Sequence, residues 1–106
     1  MSDEIIRGSF EQWLPEVGRL YKTLGDVTRL KILTLLLKEE LNVTQICEAL
    51  ELEQSVISHQ LRVLRKNHMV TNRREGKAVY YSLEDQHVRK ILLETFTHVS
   101  HVQKEE

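Results

Sequence analysis

Apolar residues recur along most of this chain with the three-to-four-residue spacing of an α-helix. Four segments carry that spacing: residues 10–24, 26–37, 43–50 and 55–66. Asp26 is a good N-cap for the second helix, and Asn42 with Gln45 three residues later is typical of a capping box in front of the third. A polar turn over residues 51–54 joins the third and fourth helices, so the pattern predicts a helix-turn-helix.

The pattern changes from helix to strand after the fourth helix. Strand-forming residues occur on both sides of a glycine, at Val70, Val79, Tyr80 and Tyr81. Gly76 is placed where a tight turn needs it, so residues 69–83 are predicted to form a β-hairpin, which directly after a recognition helix is a wing. A final helix is predicted over residues 84–102. The whole chain, residues 1–106, is predicted to be one mainly α domain with a small β-hairpin, a winged helix-turn-helix.

The first and last helices carry apolar stripes that one copy of the chain is not expected to cover. The stripe on the last helix consists of Val88, Ile91, Leu92, Phe96, Val99 and Val102. The stripe on the first helix contains Trp13, Val17 and Tyr21. Both faces are expected to pack across a two-fold axis, which predicts a homodimer joined through helices 10–24 and 84–102.

Composition fits a small soluble domain. The 106 residues are 41% apolar and 29% charged, and no apolar stretch is long enough to cross a membrane. Residues 1–8 carry Asp3 and Glu4 and no apolar run, so no secretory signal is expected. Cys47 is the lone cysteine, which excludes an intrachain disulfide framework and a multi-cysteine zinc site and favours a reduced, cytoplasmic setting.

Net charge is near zero, but the charge is distributed unevenly. Residues 54–77 carry six Lys or Arg against one Glu, a balance of +5, so one face suits a polyanion. On the first turns of the fourth helix, where side chains of this motif enter the major groove, the candidate DNA contacts are Gln54, Ser55, Ser58, His59 and Arg62. Three basic residues of the hairpin are expected to contact phosphates: Arg73, Arg74 and Lys77.

Asp85, His87, His98 and His101 are candidate metal ligands on the last helix. The step from His87 to His98 spans roughly 16 Å along a helix, too far for one ion whose ligand atoms lie about 2.0 to 2.2 Å away. The pair at one end would instead meet the pair at the opposite end of an antiparallel partner helix, which gives two equivalent sites in a two-fold dimer. Three imidazoles and one carboxylate suit a four-coordinate Zn(II) site, which Co(II) would mimic. Asp85 could alternatively serve only as a favourable charge in the first turn.

Three segments together resemble the ArsR/SmtB family of bacterial metal-responsive winged-helix repressors. They are KTLGDVTRLKIL (22–33), QSVISHQLRVL (54–64) and RREGKAVYYSL (73–83), and the resemblance covers essentially residues 20–101. It implies a homodimer joined through the first and last helices, bound to operator DNA when metal-free and released when metal binds. The family's cysteine-rich site at the third helix cannot exist here, because residues 41–46 contain no cysteine. The last-helix ligand set is similar to that of the zinc-sensing members in residue types and spacing.

Other function classes are weighed against this interpretation. An enzyme is not expected, because no Ser/His/Asp constellation, phosphate loop or open three-ligand metal site is apparent. The expected partners are double-stranded operator DNA and a second copy of the chain, without a membrane or a small-molecule substrate. A nickel- or cobalt-responsive repressor of the same fold stays open, although nickel generally takes more ligands in a square or octahedral arrangement. So does a winged-helix protein-interaction or redox regulator, although thiol sensing needs an exposed, low-pKa cysteine and the neighbours of Cys47 indicate burial.

Overall fold

The computed structural model describes residues 10–105. A short 3-10 turn, Phe10–Trp13, leads directly into helix α1. The helices are α1 (Leu14–Leu24), α2 (Val27–Lys38), α3 (Val43–Leu50), α4 (Gln54–Lys66) and α5 (Gln86–Glu105). The strands are β1 (Leu41–Asn42), β2 (Val70–Glu75) and β3 (Ala78–Leu83). The predicted fold class, a mainly α winged helix-turn-helix with a small β-hairpin, is confirmed.

The helix starts follow from local side-chain chemistry. The Asp26 carboxylate accepts a hydrogen bond from the Arg29 backbone N–H at 3.0 Å and so caps α2. Asn42 and Gln45 form the predicted capping box in front of α3, with each side chain accepting from the other residue's backbone N–H at 2.9 Å. The turn after α3 begins at Glu51, whose φ of 54° lies in the left-handed region and so ends the helix.

The sheet is antiparallel, with three strands in the order β1-β3-β2. The wing hairpin pairs Val70 with Leu83 and Glu75 with Ala78, and its turn uses Gly76 at a φ of 62°. Strand β1, which the hydrophobic pattern did not predict, pairs Leu41 with Tyr81. This short pairing attaches the base of the wing to the segment between α2 and α3.

The core lies where α2 crosses α3, α4 and the base of the wing. Its fully buried side chains are Ile32, Leu33, Leu36, Ile46, Ile57, Leu61, Leu64, Met69, Val70, Val88 and Leu92. Val88 and Leu92 require a correction, because they were expected to pack across a dimer axis. They are only 5% and 2% exposed within a single chain, since they close the core from the α5 side.

Residues 10–105 bear on only one of the two expectations about membranes and export. No helix among these residues is long and apolar enough to cross a membrane. The expectation about a secretory signal concerns residues 1–8, which lie outside the described residues. That residues 1–106 form a single domain therefore stays a prediction.

Candidate functional site

Helix α4 presents a polar face opposite its buried face. Ile57, Leu61 and Leu64 are buried against the core, which fixes the rotation of the helix. The five residues predicted to contact DNA share the other side, within about 140° of one another on a helical wheel: Gln54, Ser55, Ser58, His59 and Arg62. Four of these side chains are exposed and Ser58 is half-buried. The helix therefore offers a contiguous surface of donors and acceptors near its N-terminal end.

A groove of about 560 Å³ lies between α4 and strand β3, on the side of α4 that faces the wing. Its lining includes Ser58 and Tyr81, together with three cations, Arg62, Arg65 and Lys66. We call it the wing-side groove. Cationic side chains beside a helix that enters the major groove are placed to bind backbone phosphates.

The wing cations differ in their surroundings. The Arg73 guanidinium pairs with Glu40 at 2.5 Å and with Glu75 at 2.7 Å, and it lies 5.0 Å from the ring centroid of Tyr80. The hydrogen bond from Arg73 holds the pKa of Glu40 below its usual value, and the same bond raises the pKa of Arg73. Arg73 thus ties the wing to the loop between α2 and β1.

Arg74 and Lys77, by contrast, are exposed near the wing tip. Among residues 10–105 no ion pair involves either side chain. The sequence placed all three wing cations in one class, yet the structure shows only Arg74 and Lys77 with their charge open to solvent. The assignment of Arg73 to a phosphate stays a prediction that its two carboxylate partners disfavour.

Sequence reasoning missed Arg29, which connects three helices. Its Nε donates to the Thr23 carbonyl at 2.8 Å and its Nη2 to the Lys22 carbonyl at 3.5 Å, both at the end of α1. Its Nη1 donates to Gln60 Oε1 on α4 at 3.2 Å. A signal was present in the sequence: a cation in the first turn of a helix opposes the helix dipole, so its charge is expected to be used elsewhere.

Asp85 has two roles available at the start of α5. Its Oδ1 accepts a hydrogen bond from the Val88 backbone N–H at 3.0 Å and caps the helix, while its Oδ2 lies 3.6 Å from His87 Nδ1. The Val88 N–H, with a smaller contribution from His87, holds the pKa of Asp85 below its usual value. Because only one carboxylate oxygen caps the helix, the other remains beside the His87 ring.

The other two candidate ligands, His98 and His101, are exposed one helical turn apart near the far end of α5. Within the described part of one chain, no group of three or more His, Cys, Asp or Glu side chains could hold a metal ion. The structure therefore pairs Asp85 with His87 and places His98 with His101, but it keeps the two pairs at opposite ends of one continuous helix.

Comparison with known proteins places this arrangement in a family. Residues 26–72 match the family model described as "Bacterial regulatory protein, arsR family". The chain is 42% identical over 87 residues to the HTH-type transcriptional regulator NmtR of Mycobacterium tuberculosis, which covers 82% of this chain and 72% of that protein. The chain belongs to the ArsR/SmtB family. Its members with this fold are transcriptional regulators and not enzymes.

Two more ArsR/SmtB relatives have similar coverage. The "Transcriptional repressor SmtB homolog" of Synechocystis is 37% identical, over 79% of this chain but only 64% of that protein. The "Cadmium resistance transcriptional regulatory protein CadC homolog" of Staphylococcus aureus is 39% identical, over 78% of this chain and 69% of its own length.

A solved structure supports the ArsR/SmtB fold over the whole chain. The homodimeric winged helix-turn-helix DNA-binding domain of Mb0332 from Mycobacterium bovis superposes with a TM-score of 0.86, at 26% identity, over 100% of this chain and 94% of that one.

Proposed function

We propose that this chain is a repressor that binds operator DNA as a metal-free homodimer and is released when Zn(II), or Co(II), binds at two sites shared between protomers. One observation carries the proposal: two ligand pairs lie at opposite ends of one continuous helix, where a single chain cannot join them. Two antiparallel copies of that helix would join them twice. The site is thus incomplete without a second copy of the chain.

The two outer helices offer the surface for that second copy. Along α1 and the turn before it, the exposed apolar side chains are Phe10, Trp13, Leu14, Val17 and Tyr21. Along α5 they are Leu93, Phe96, Val99 and Val102. An apolar cavity of about 340 Å³ lies between the two helices, lined in part by Tyr21, Leu24, Phe96 and Val99. A contiguous apolar surface of this kind is typical of a homodimer interface, and the Mycobacterium bovis relative is described as homodimeric.

The donor set fits a four-coordinate divalent ion. Asp85 and His87 of one protomer would bind it together with His98 and His101 of the other, so that three nitrogens and one oxygen surround the ion. The ion would supply only a fixed link between protomers, because four protein ligands leave no position for a reactive water. Asp85 keeps capping α5 through Oδ1 while Oδ2 binds, so the helix start is already held in place before metal arrives.

On the DNA side, α4 would enter the major groove with its polar face. Ser55, His59 and Arg62 can donate to or accept from base edges, and Arg74 and Lys77 on the wing would bind phosphates. Residues 54–77 carry the net positive charge that this contact requires.

The same structure offers a physical link from the dimer helices to the DNA-binding helix. Arg29 hydrogen-bonds both to the end of α1 and to Gln60 on α4, so a rotation of one protomer against the other carries α4 with it. Dimers of this motif read half-sites about 34–36 Å apart, so a small change in the relative orientation of the two protomers weakens binding. By linkage, metal and operator weaken each other's binding by the same factor.

The decisive experiment measures operator affinity of the purified protein with and without added metal. Zn(II) is expected to release the parent protein from DNA, whereas the His98→Ala protein is expected to bind metal-free DNA normally and to stay bound at the same Zn(II) concentration. His59→Ala is the matched control, since it should weaken DNA binding while leaving Zn(II) affinity unchanged. Release of the His98→Ala protein at the parental Zn(II) concentration would show that the ligands lie elsewhere.

Two alternatives are tested by the same titration. Release by Ni(II) at lower concentration than by Zn(II) or Co(II) would favour the nickel-responsive repressor, which needs ligands beyond these four. Release by oxidation in place of metal, abolished in Cys47→Ser, would favour a redox regulator. The Cys47 side chain is only partly exposed and packs against the core, which argues against easy access of an oxidant.

A further inference from the structure

A second cationic groove lies on the side of α4 that faces away from the wing. It has a volume of about 420 Å³ and is formed by the end of α1, the start of α2 and the end of α4. Four cations contribute to its lining: Arg19, Lys22, Arg29 and Lys66. The remaining lining residues are Thr23, Val63 and Asn67, so no carboxylate lines this groove among the described residues. We call it the α1-side groove.

The charge in the α1-side groove is largely uncompensated. Among residues 10–105 no ion pair involves Arg19, Lys22 or Lys66. The nearest acid along the adjoining surface is Glu16, which lines a neighbouring depression together with Arg19 and Lys66. Concentrating four cations around one concave surface is costly unless an anion occupies it, because like charges repel at short range.

Arg29 is held in a conformation that suits an anion. Three of its five N–H groups already donate, to the Thr23 carbonyl, the Lys22 carbonyl and Gln60. The two that remain are one on each terminal nitrogen, which is the forked geometry that binds two oxygens of a phosphate. Because the side chain is already fixed by the protein, little side-chain entropy is lost when a phosphate binds.

Lys66 connects this groove to the DNA-binding surface. It lines the α1-side groove and also the wing-side groove on the opposite flank of α4. Cations thus flank the C-terminal half of α4 on both sides, and the wing adds more beyond the second flank. Arg19 and Lys22 also point roughly 160° away from the apolar stripe of α1 on a helical wheel, so a partner packed on that stripe leaves them uncovered.

We propose that the α1-side groove binds the phosphate backbone of the operator, so that α1 and the start of α2 extend the DNA contact beyond the recognition helix and wing. The inference rests on the proposed DNA-binding function. It adds a sequence-independent contact made by a helix that also forms the dimer interface. Arg19 and Lys22 supply mobile charge, and Arg29 supplies the fixed fork.

The test uses the Arg19→Gln/Lys22→Gln protein, because neither side chain donates a hydrogen bond within the described residues. Lys38→Gln is the matched control, since Lys38 is exposed at the opposite end of α2 and lines neither groove. Operator affinity is measured across salt concentrations. Removing at least one phosphate contact per protomer should reduce the slope of log affinity against log salt by about 1.8 or more per dimer, whereas the control should keep the parental slope.

Phosphate ethylation interference then locates the contact. Ethylation at certain phosphates should block the parent but not the double variant, and those phosphates should differ from the ones at which Arg74→Gln becomes insensitive. Parental slope and an unchanged interference pattern in the double variant would overturn this inference while leaving operator binding intact. Failure of the parent itself to prefer its operator over unrelated DNA would instead overturn the proposed function.

Discussion

The two adjacent arginines of the wing should behave differently when each is replaced by glutamine. Arg74 is exposed with no ion pair among residues 10–105, whereas Arg73 is bound to Glu40 and Glu75. We expect Arg74→Gln to remove one phosphate contact per protomer, and Arg73→Gln to remove none. The reason is that the Arg73 charge is already neutralised inside the protein.

The size of the difference follows from counterion release. Removing two phosphate contacts from the dimer reduces the salt slope by about 1.8, since each phosphate contributes about 0.9. Between 50 and 200 mM salt, a fourfold change, the Arg74→Gln protein should therefore lose about 12-fold less affinity than the parent loses. Arg73→Gln should weaken binding by the same factor at every salt concentration, because a loosened wing is a conformational cost that salt does not screen.

Fluorescence anisotropy of labelled operator, recorded at several salt concentrations, separates the two effects. A charge-reversed pair, Glu40→Arg with Arg73→Glu, is the control, and it should restore affinity more fully than either single change does. Equal slope reductions in Arg73→Gln and Arg74→Gln would refute the tether and would return Arg73 to the phosphate-contact class.

Three further outcomes follow from single residues. Asp85→Ser should keep a helix cap and thermal stability close to the parent while losing Zn(II) affinity, whereas Asp85→Ala should lose both, as melting curves and Zn(II) titrations would reveal. Because the pKa of Asp85 is lowered in the folded protein, the stability from its cap should be present above the unfolded-state pKa and disappear as pH falls through the folded-state pKa, so a melting series from pH 7 to pH 2 should show a smaller acid loss in Asp85→Ser than in the parent. Leu61→Ala should lower the free energy of unfolding by about 2 to 5 kcal/mol, because Leu61 is only 1% exposed; a loss below about 1 kcal/mol in urea unfolding would place it outside the core. Phe96→Glu should convert the dimer to a folded monomer in sedimentation, and a dimer of unchanged stability would mean that the exposed α5 stripe is not the interface.

Local chemistry made much of the fold predictable. The capping box of Asn42 and Gln45 and the turn at Gly76 depend on neighbours only three or four residues away, so the sequence pattern contains them completely. Strand β1 could not be found in this way, because two residues are too few to establish an alternating period. The tie between Glu40 and Arg73 joins residues 33 positions apart, which no local pattern encodes.

The apolar stripe of α5 illustrates a different limit. Helical spacing identified its members, but spacing alone cannot divide a wide stripe between the chain's own core and a partner. Val88 and Leu92 face inward because the base of the wing and α2 reach them, while Phe96 and Val99 lie further along the helix and stay exposed. The candidate ligands were easier to recognise than the interface around them, since a ligand set depends on residue type and spacing alone.

The separation between the polar face of α4 and the ends of α5 has a consequence for engineering. Ser55, His59 and Arg62 are exposed and contribute nothing to the core, and none of them contacts Asp85 or His87. Randomising those three positions should therefore yield proteins retargeted to new promoter sequences with their input signal unchanged. A set of such variants would act as orthogonal genetic switches that share one inducer, each wired to its own reporter within the same cell.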